Sequence, residues 1–203
     1  MITLSQTVFS QDAKNENTAI LIIEFQKTWT EKGIFHKLIK KEYFSRNILE
    51  NTKEVIAEAR KQEIKIIQAP LILDKADKER YKKTPFPARL LKRFTKGTWK
   101  AEFTEGIYEK TDIVIKGRYG FDACEGSNLE QLLKETKIKN IFVCGFTTDH
   151  CVKETMNSLI DKGFNCILVS DCTATKNNKL QKKIEKEFEI ISSNQLIKAI
   201  TRK

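Results

Sequence analysis

The stretch that decides the fold is IFVCGFTTDHCVKETMNSLIDKGFNCILVSDCTAT, residues 141–175. Asn140–Gly145 (NIFVCG) is a short, nearly continuous apolar run, the pattern of a strand covered on both faces. Thr148–Lys162 reads as a helix, opened by Thr148 and Asp149, two residue types suited to capping a helix start. Asn165–Asp171 (NCILVSD) returns to an apolar run. Strand, helix and strand in this order form a parallel βαβ unit, because parallel neighbours need a long crossover.

The same rhythm extends outward. Ala19–Glu24 (AILIIE) is a first strand, and a helix follows at Phe44–Lys61 with Ile48, Leu49, Val55, Ile56 and Ala59 on its apolar side. Ile64–Ala69 (IKIIQA) is a second strand stopped by Pro70. Asp112–Lys116 (DIVIK) is a third strand ending at Gly117, and Leu129–Glu135 is a short helix. Downstream come a helix at Lys179–Phe188, a sixth strand at Glu189–Ser192 and a helical tail from Asn194. Residues 1–17 are polar and read as an N-terminal arm. Leu71–Lys110, with Pro85, Pro87, Gly97 and Gly106, is an excursion of the kind that forms a binding loop or lid. The expectation is one α/β domain over residues 1–203, a three-layer α/β/α sandwich around a parallel, Rossmann-like sheet.

Composition narrows the function. The 203 residues carry 37 basic and 27 acidic side chains, a net charge of +10. The lysines alternate with glutamates, as in KKIEKEFE at 182–189, so the excess reads as a solvated surface. No basic cluster is interleaved with aromatics, so nucleic acid is not an expected partner. No apolar run approaches membrane-spanning length, and MITLSQTVFS lacks the pattern of a signal peptide. Cysteines stand at 124, 144, 151, 166 and 172, odd in number and without a CxxC pair. That usage fits a reducing compartment, hence a cytoplasmic protein with buried or catalytic thiols.

Ligands of open parallel sheets bind beyond the carboxyl ends of the strands. Glu24 ends the first strand, Lys116 ends the third, and Cys151 lies just past the fourth. Each has an ordinary explanation: a solvated carboxylate, a surface lysine, a small buried side chain. Together they form a chemical set. Cys151 falls in the first turn of a helix, and a neighbouring lysine would lower its pKa further. Glu24 could take the thiol proton and return it to a leaving amine. Backbone N–H groups of GFTTDHC could hold the oxyanion. Gln26, Trp29, Trp99, Tyr119, Phe121 and Thr148 flank these positions and are candidate pocket residues, with ordinary core packing the alternative for the aromatics. Cys144 and Cys166 lie in apolar strands and read as packing residues, while Cys124 and Cys172 fall near strand-end loops. His150 precedes the thiol, but its ring should point elsewhere on the helix.

Residues 141–175 resemble the nucleophile strand, turn and helix of isochorismatase-like cysteine hydrolases. TAILIIEFQKTW (18–29) resembles their first strand, and KGTWKAEF (96–103) with DIVIKGRYGFDACEGSNLEQLL (112–133) resembles their middle region. The resemblance implies a six-stranded parallel sheet and an acid–Lys–Cys triad, which falls on Glu24, Lys116 and Cys151. It also implies a cis peptide between Phe146 and Thr147, with the backbone N–H groups of Thr147 and Cys151 as the oxyanion hole. The implied reaction is hydrolysis of a small-molecule amide or related C–N bond through a thioester, without a cofactor, in a homo-oligomer.

Two departures stand out. The acid is Glu24 where most of the superfamily has Asp. The Asp-x-His pair of metal-dependent nicotinamidases is missing from QAPLILDKAD (68–77), and the histidines are His36 and His150 alone, so no metal is expected. Cys151 also argues against vinyl-ether cleavage, whose enzymes lack this thiol. The alternative is a non-catalytic relative that binds a small molecule or a protein.

Overall fold

Successive residues of the first strand pack in opposite directions. Ile20 and Ile22 join one core with Phe142, Cys144 and Phe146, while Ala19, Leu21 and Ile23 join another with Ile67, Ile141 and Val143. A strand buried on both faces belongs in the middle of a parallel sheet. The computed structural model, which describes residues 15–92 and 94–201, places it there. The strands are β1 (Thr18–Ile23), β2 (Lys65–Ala69), β3 (Ile113–Val114), β4 (Asn140–Phe146), β5 (Asn165–Ala174) and β6 (Ile190–Ile191). Their spatial order is β3-β2-β1-β4-β5-β6, and all neighbours are parallel. The order reverses between β1 and β4, which opens a crevice at their carboxyl ends.

The helices are α1 (Lys27–Thr30), α2 (Ile34–Ser45), α3 (Ile48–Lys61), α4 (Lys78–Lys83), α5 (Phe86–Leu91), α6 (Leu129–Glu135), α7 (Lys153–Asp161), α8 (Asn178–Glu185) and α9 (Ser193–Thr201). One face of the sheet is covered by α2, α3 and α9 through Ile39, Tyr43, Ile48, Val55, Ile56, Leu196 and Ile200. The other is covered by α6 and α7 through Leu129, Leu133, Met156 and Leu159. Each such aliphatic side chain contributes about 1.5–3 kcal/mol by leaving water.

Three elements differ from the sequence expectation. The single helix expected over Phe44–Lys61 is the end of α2 followed by α3, broken at Asn47, whose φ of 53° is a left-handed value that Asn tolerates. The third strand is two residues long, Ile113–Val114, and at its start Asp112 turns inward. Its carboxylate accepts from Arg60 Nη2 at 2.8 Å and Gln68 Nε2 at 2.9 Å. The helix expected from Thr148 begins as a π-helical turn, Thr148–Val152, before α7. The excursion holds α4, α5 and a 3-10 turn at Trp99–Ala101. Of the expected N-terminal arm, residues 1–14 lie outside the described residues, and Asn15–Asn17 form a 3-10 turn into β1. Among the described residues no helix is long and apolar enough to cross a membrane.

Candidate active site

Glu24 follows the last residue of β1 and is buried, 1% exposed. Its φ of 52° is left-handed, a conformation that costs an L-residue roughly 1–2 kcal/mol. The backbone is held there by two bonds: Glu24 N–H donates to Ala69 O at 3.2 Å, and Gln26 N–H donates to Glu24 O at 2.7 Å. Beside it, β4 approaches so closely that a Cβ on Gly145 would sit 1.9 Å from Ile23 O. Glycine is therefore required at 145, and the approach brings the end of β1 against the turn that carries Cys151. Both carboxylate oxygens of Glu24 are engaged. Oε1 accepts from Arg118 Nη2 at 2.5 Å, and Oε2 accepts from Trp29 Nε1 at 3.2 Å.

The cation at this site is Arg118, not Lys116. After β3 the chain turns at Gly117, with φ 91° and room for no Cβ against Gly126 O. Lys116 is left exposed, its backbone N–H donating to Asn128 Oδ1 at 2.8 Å. Arg118 turns inward and is almost fully buried. Its Nε donates to Gly120 O, Nη1 to Ala69 O at 2.7 Å, and Nη2 to Phe121 O at 2.7 Å as well as to Glu24. These four bonds use four of the five guanidinium donors. The guanidinium charge also acts on the Cys151 thiol, which it favours in its ionised form.

Cys151 lies in the π-helical turn after β4, 4% exposed, and Glu24 and Arg118 are the charged groups that act on its thiol. The peptide Phe146–Thr147 before it is cis, as the resemblance implies. Thr155 Oγ1 donates to Cys151 O at 2.6 Å and accepts from Ala123 N–H at 2.8 Å, which ties the turn to the loop after β3. The thiol pKa is pushed well above its ordinary value, by burial first and by the Glu24 charge second, with Arg118 opposing. This reverses the sequence expectation of a lowered pKa. The environment that brings the arginine also excludes water and supplies a carboxylate, and those two effects win. His150 points outward, 3.8 Å from Asp149, and is no partner of the thiol.

Several expected pocket residues have other duties. Gln26 is buried and uses its whole amide on backbone: Nε2 donates to Leu71 O and Ala101 O, and Oε1 accepts from Leu71 N–H. It pins the excursion to β1. Thr148 Oγ1 donates to Gln181 Oε1 at 2.8 Å and sits 2.7 Å from Thr173 Oγ1, bracing the turn against α8 and β5. Trp29 stacks on Phe35 at 4.5 Å between ring centroids and on Phe146 at 6.0 Å. Trp99, Tyr119 and Phe121 are half-buried, with Lys32 Nζ over the Trp99 ring, Lys83 Nζ over Tyr119, and Phe121 6.3 Å from His150. Among the other thiols, Cys144 and Cys172 touch each other inside the core, and burial pushes Cys124 and Cys166 up to about 12.

An isochorismatase domain matches residues 18–195. The chain belongs to the isochorismatase family. A family relative from Arabidopsis thaliana, named a probable inactive nicotinamidase, is 26% identical over 164 residues, 78% of this chain and 81% of that one. The fold is similar to a cysteine hydrolase from Pseudomonas syringae pv. phaseolicola, with TM-score 0.79 and 18% identity over 92% of this chain and 93% of that one. It is also similar to N-carbamoylsarcosine amidase from Thermoplasma acidophilum, with TM-score 0.71 and 17% identity over 88% and 97% of the two chains.

Proposed function

We propose that the protein is a cysteine hydrolase of a small amide or related non-peptide C–N bond, with Cys151 as nucleophile and Glu24 as proton shuttle. The observation that carries the reading is a buried thiol held between a carboxylate and a guanidinium at the carboxyl edge of a parallel sheet. In the resting protein the thiol is protonated. On attack, its proton passes to Glu24 while sulfur bonds to the substrate carbonyl carbon. The backbone N–H groups of Thr147 and Cys151 receive the oxyanion. The C–N bond then breaks, Glu24 returns the proton to the leaving nitrogen, and a thioester remains. Water attacks the thioester, Glu24 takes one of its protons, and the carboxylic acid leaves as the thiol is restored.

Arg118 stays charged throughout, since an arginine does not deprotonate in a protein. Its role is electrostatic: it holds the Glu24 carboxylate in place and offsets the charge that develops on sulfur. Four of its five N–H groups are held by Glu24 and by the carbonyls of Ala69, Gly120 and Phe121.

A second reading, a ligand-binding relative without turnover, draws on the raised thiol pKa and on the name of the Arabidopsis relative. A panel of small neutral amides, ureides and carbamates separates the two. Turnover of any member that disappears in Cys151→Ala, with the fold retained, supports the hydrolase. Saturable binding with no release of amine or ammonia from any member supports the binder.

A further inference from the structure

We infer that Trp29 is a positioning residue that fixes the Glu24 carboxylate through its indole N–H, rather than a wall of the substrate pocket. The inference rests on the reading of Glu24 and Cys151 as the reacting pair. Three observations converge on it. Glu24 sits at a left-handed backbone position one residue beyond a strand, so the strand itself does not fix its side chain. Its Oε2 accepts from Trp29 Nε1 at 3.2 Å, which leaves Arg118 to hold Oε1 alone. The indole is itself immobilised. Its ring lies between Phe35 and Phe146, its backbone N–H donates to Gln26 O at 2.9 Å, and its carbonyl accepts from His36 Nδ1 at 2.9 Å. A carbonyl only accepts, so His36 carries its proton on Nδ1. A residue tied at four points and 7% exposed has no surface to adapt to a ligand.

The consequence for the thiol has a definite sign. A carboxylate that shares its charge with an indole donor accepts less strongly from a neighbouring S–H. Removing that donor leaves more of the Glu24 charge beside the thiol and stabilises its protonated form. The charged and titratable groups facing the thiol are Glu24 from the end of β1 and Arg118 from the loop after β3. Asp149 and His150, on its own turn, lie 3.8 Å apart, with the His150 ring exposed.

The test uses the full chain, iodoacetamide, and nuclear magnetic resonance of the two tryptophan indoles, with Trp99→Phe assigning them. Glu24→Gln should move the Trp29 indole signal and leave that of Trp99 in place. It should also shift the inflection of Cys151 alkylation to lower pH. Trp29→Phe should shift the inflection up, making alkylation about ten-fold slower at a given pH below it, since one pH unit is ten-fold. Benzothienylalanine at 29, which keeps the ring volume without the N–H, should do the same should the phenylalanine variant fold poorly. An inflection unmoved by loss of the N–H, with the Glu24→Gln shift intact, overturns the positioning role and leaves the reacting pair standing. A Glu24→Gln variant that moves neither the inflection nor the indole signal overturns both.

Discussion

Replacing Arg118 with methionine tests the centre of the site most directly. Both Arg118 and Glu24 are almost wholly out of water, and the pair lies at 2.5 Å. Methionine fills similar space but donates nothing. The substitution leaves the Glu24 carboxylate without its ion partner, and it removes a donor from the carbonyls of Ala69, Gly120 and Phe121. Removing one member of a buried ion pair costs about 3–5 kcal/mol. For a chain of this size, 1 kcal/mol corresponds to roughly 2–4 °C in Tm, so the expected drop is about 6–20 °C. Urea melts should show the loss as a lower midpoint at constant slope. Glu24→Gln in the same background should recover part of it, because it removes the stranded charge; a coupling of about 0.5–3 kcal/mol is expected for groups in contact. Arg118→Lys should fall between, keeping the charge while replacing five donors in a planar fork with three on a point. A loss below about 1 kcal/mol for the methionine variant, or strict additivity in the double variant, would refute the claim that these two side chains form one buried unit.

The remaining predictions concern the reacting groups. Alkylation of Cys151 in the native protein should rise through the alkaline range, with its inflection above the ordinary thiol value of about 8.5, because burial and Glu24 stabilise the protonated form; full reactivity below pH 7 would show a resting thiolate instead. Lys116→Met should leave that profile unchanged, since Lys116 faces solvent. Glu24→Asp withdraws the carboxylate by one C–C bond, about 1.5 Å, enough to lose both the 2.5 Å bond to Arg118 and the 3.2 Å bond to Trp29. Turnover should fall by at least about ten-fold, the value of one such charged hydrogen bond, and an aspartate variant as fast as the native protein would mean that the pocket is not fitted to the longer side chain.

Most of the fold was legible because parallel strands leave an unmistakable trace. AILII and NIFVCGF are nearly continuous apolar runs, and KIIQA is interrupted only by Lys65 at its start and by the buried Gln68. The features that were not legible trace to polar side chains that fold inward. Asp112 turns inward at the start of β3, where Arg60 and Gln68 offer it buried donors, and those residues lie more than 40 positions upstream. Nothing in DIVIK indicates that pairing. Gln26 and Thr148, polar and close to the motifs, looked like substrate ligands, whereas their partners are the excursion backbone and Gln181.

The misplaced cation has the same origin and the larger consequence. Counting to the end of the apolar run in DIVIKGRYG stops at Lys116. The chain, however, leaves the sheet at Val114 and reverses at Gly117, so the first inward cation is two residues later. The glycine between Lys116 and Arg118 was the one available signal, since a left-handed turn redirects the side chains downstream of it. An arginine here changes the chemistry as well as the numbering. A lysine in this position can exchange a proton with its neighbours; an arginine holds its charge. On the proposed mechanism, proton transfer rests on Glu24, whose carboxylate is held by Arg118 on one oxygen and Trp29 on the other.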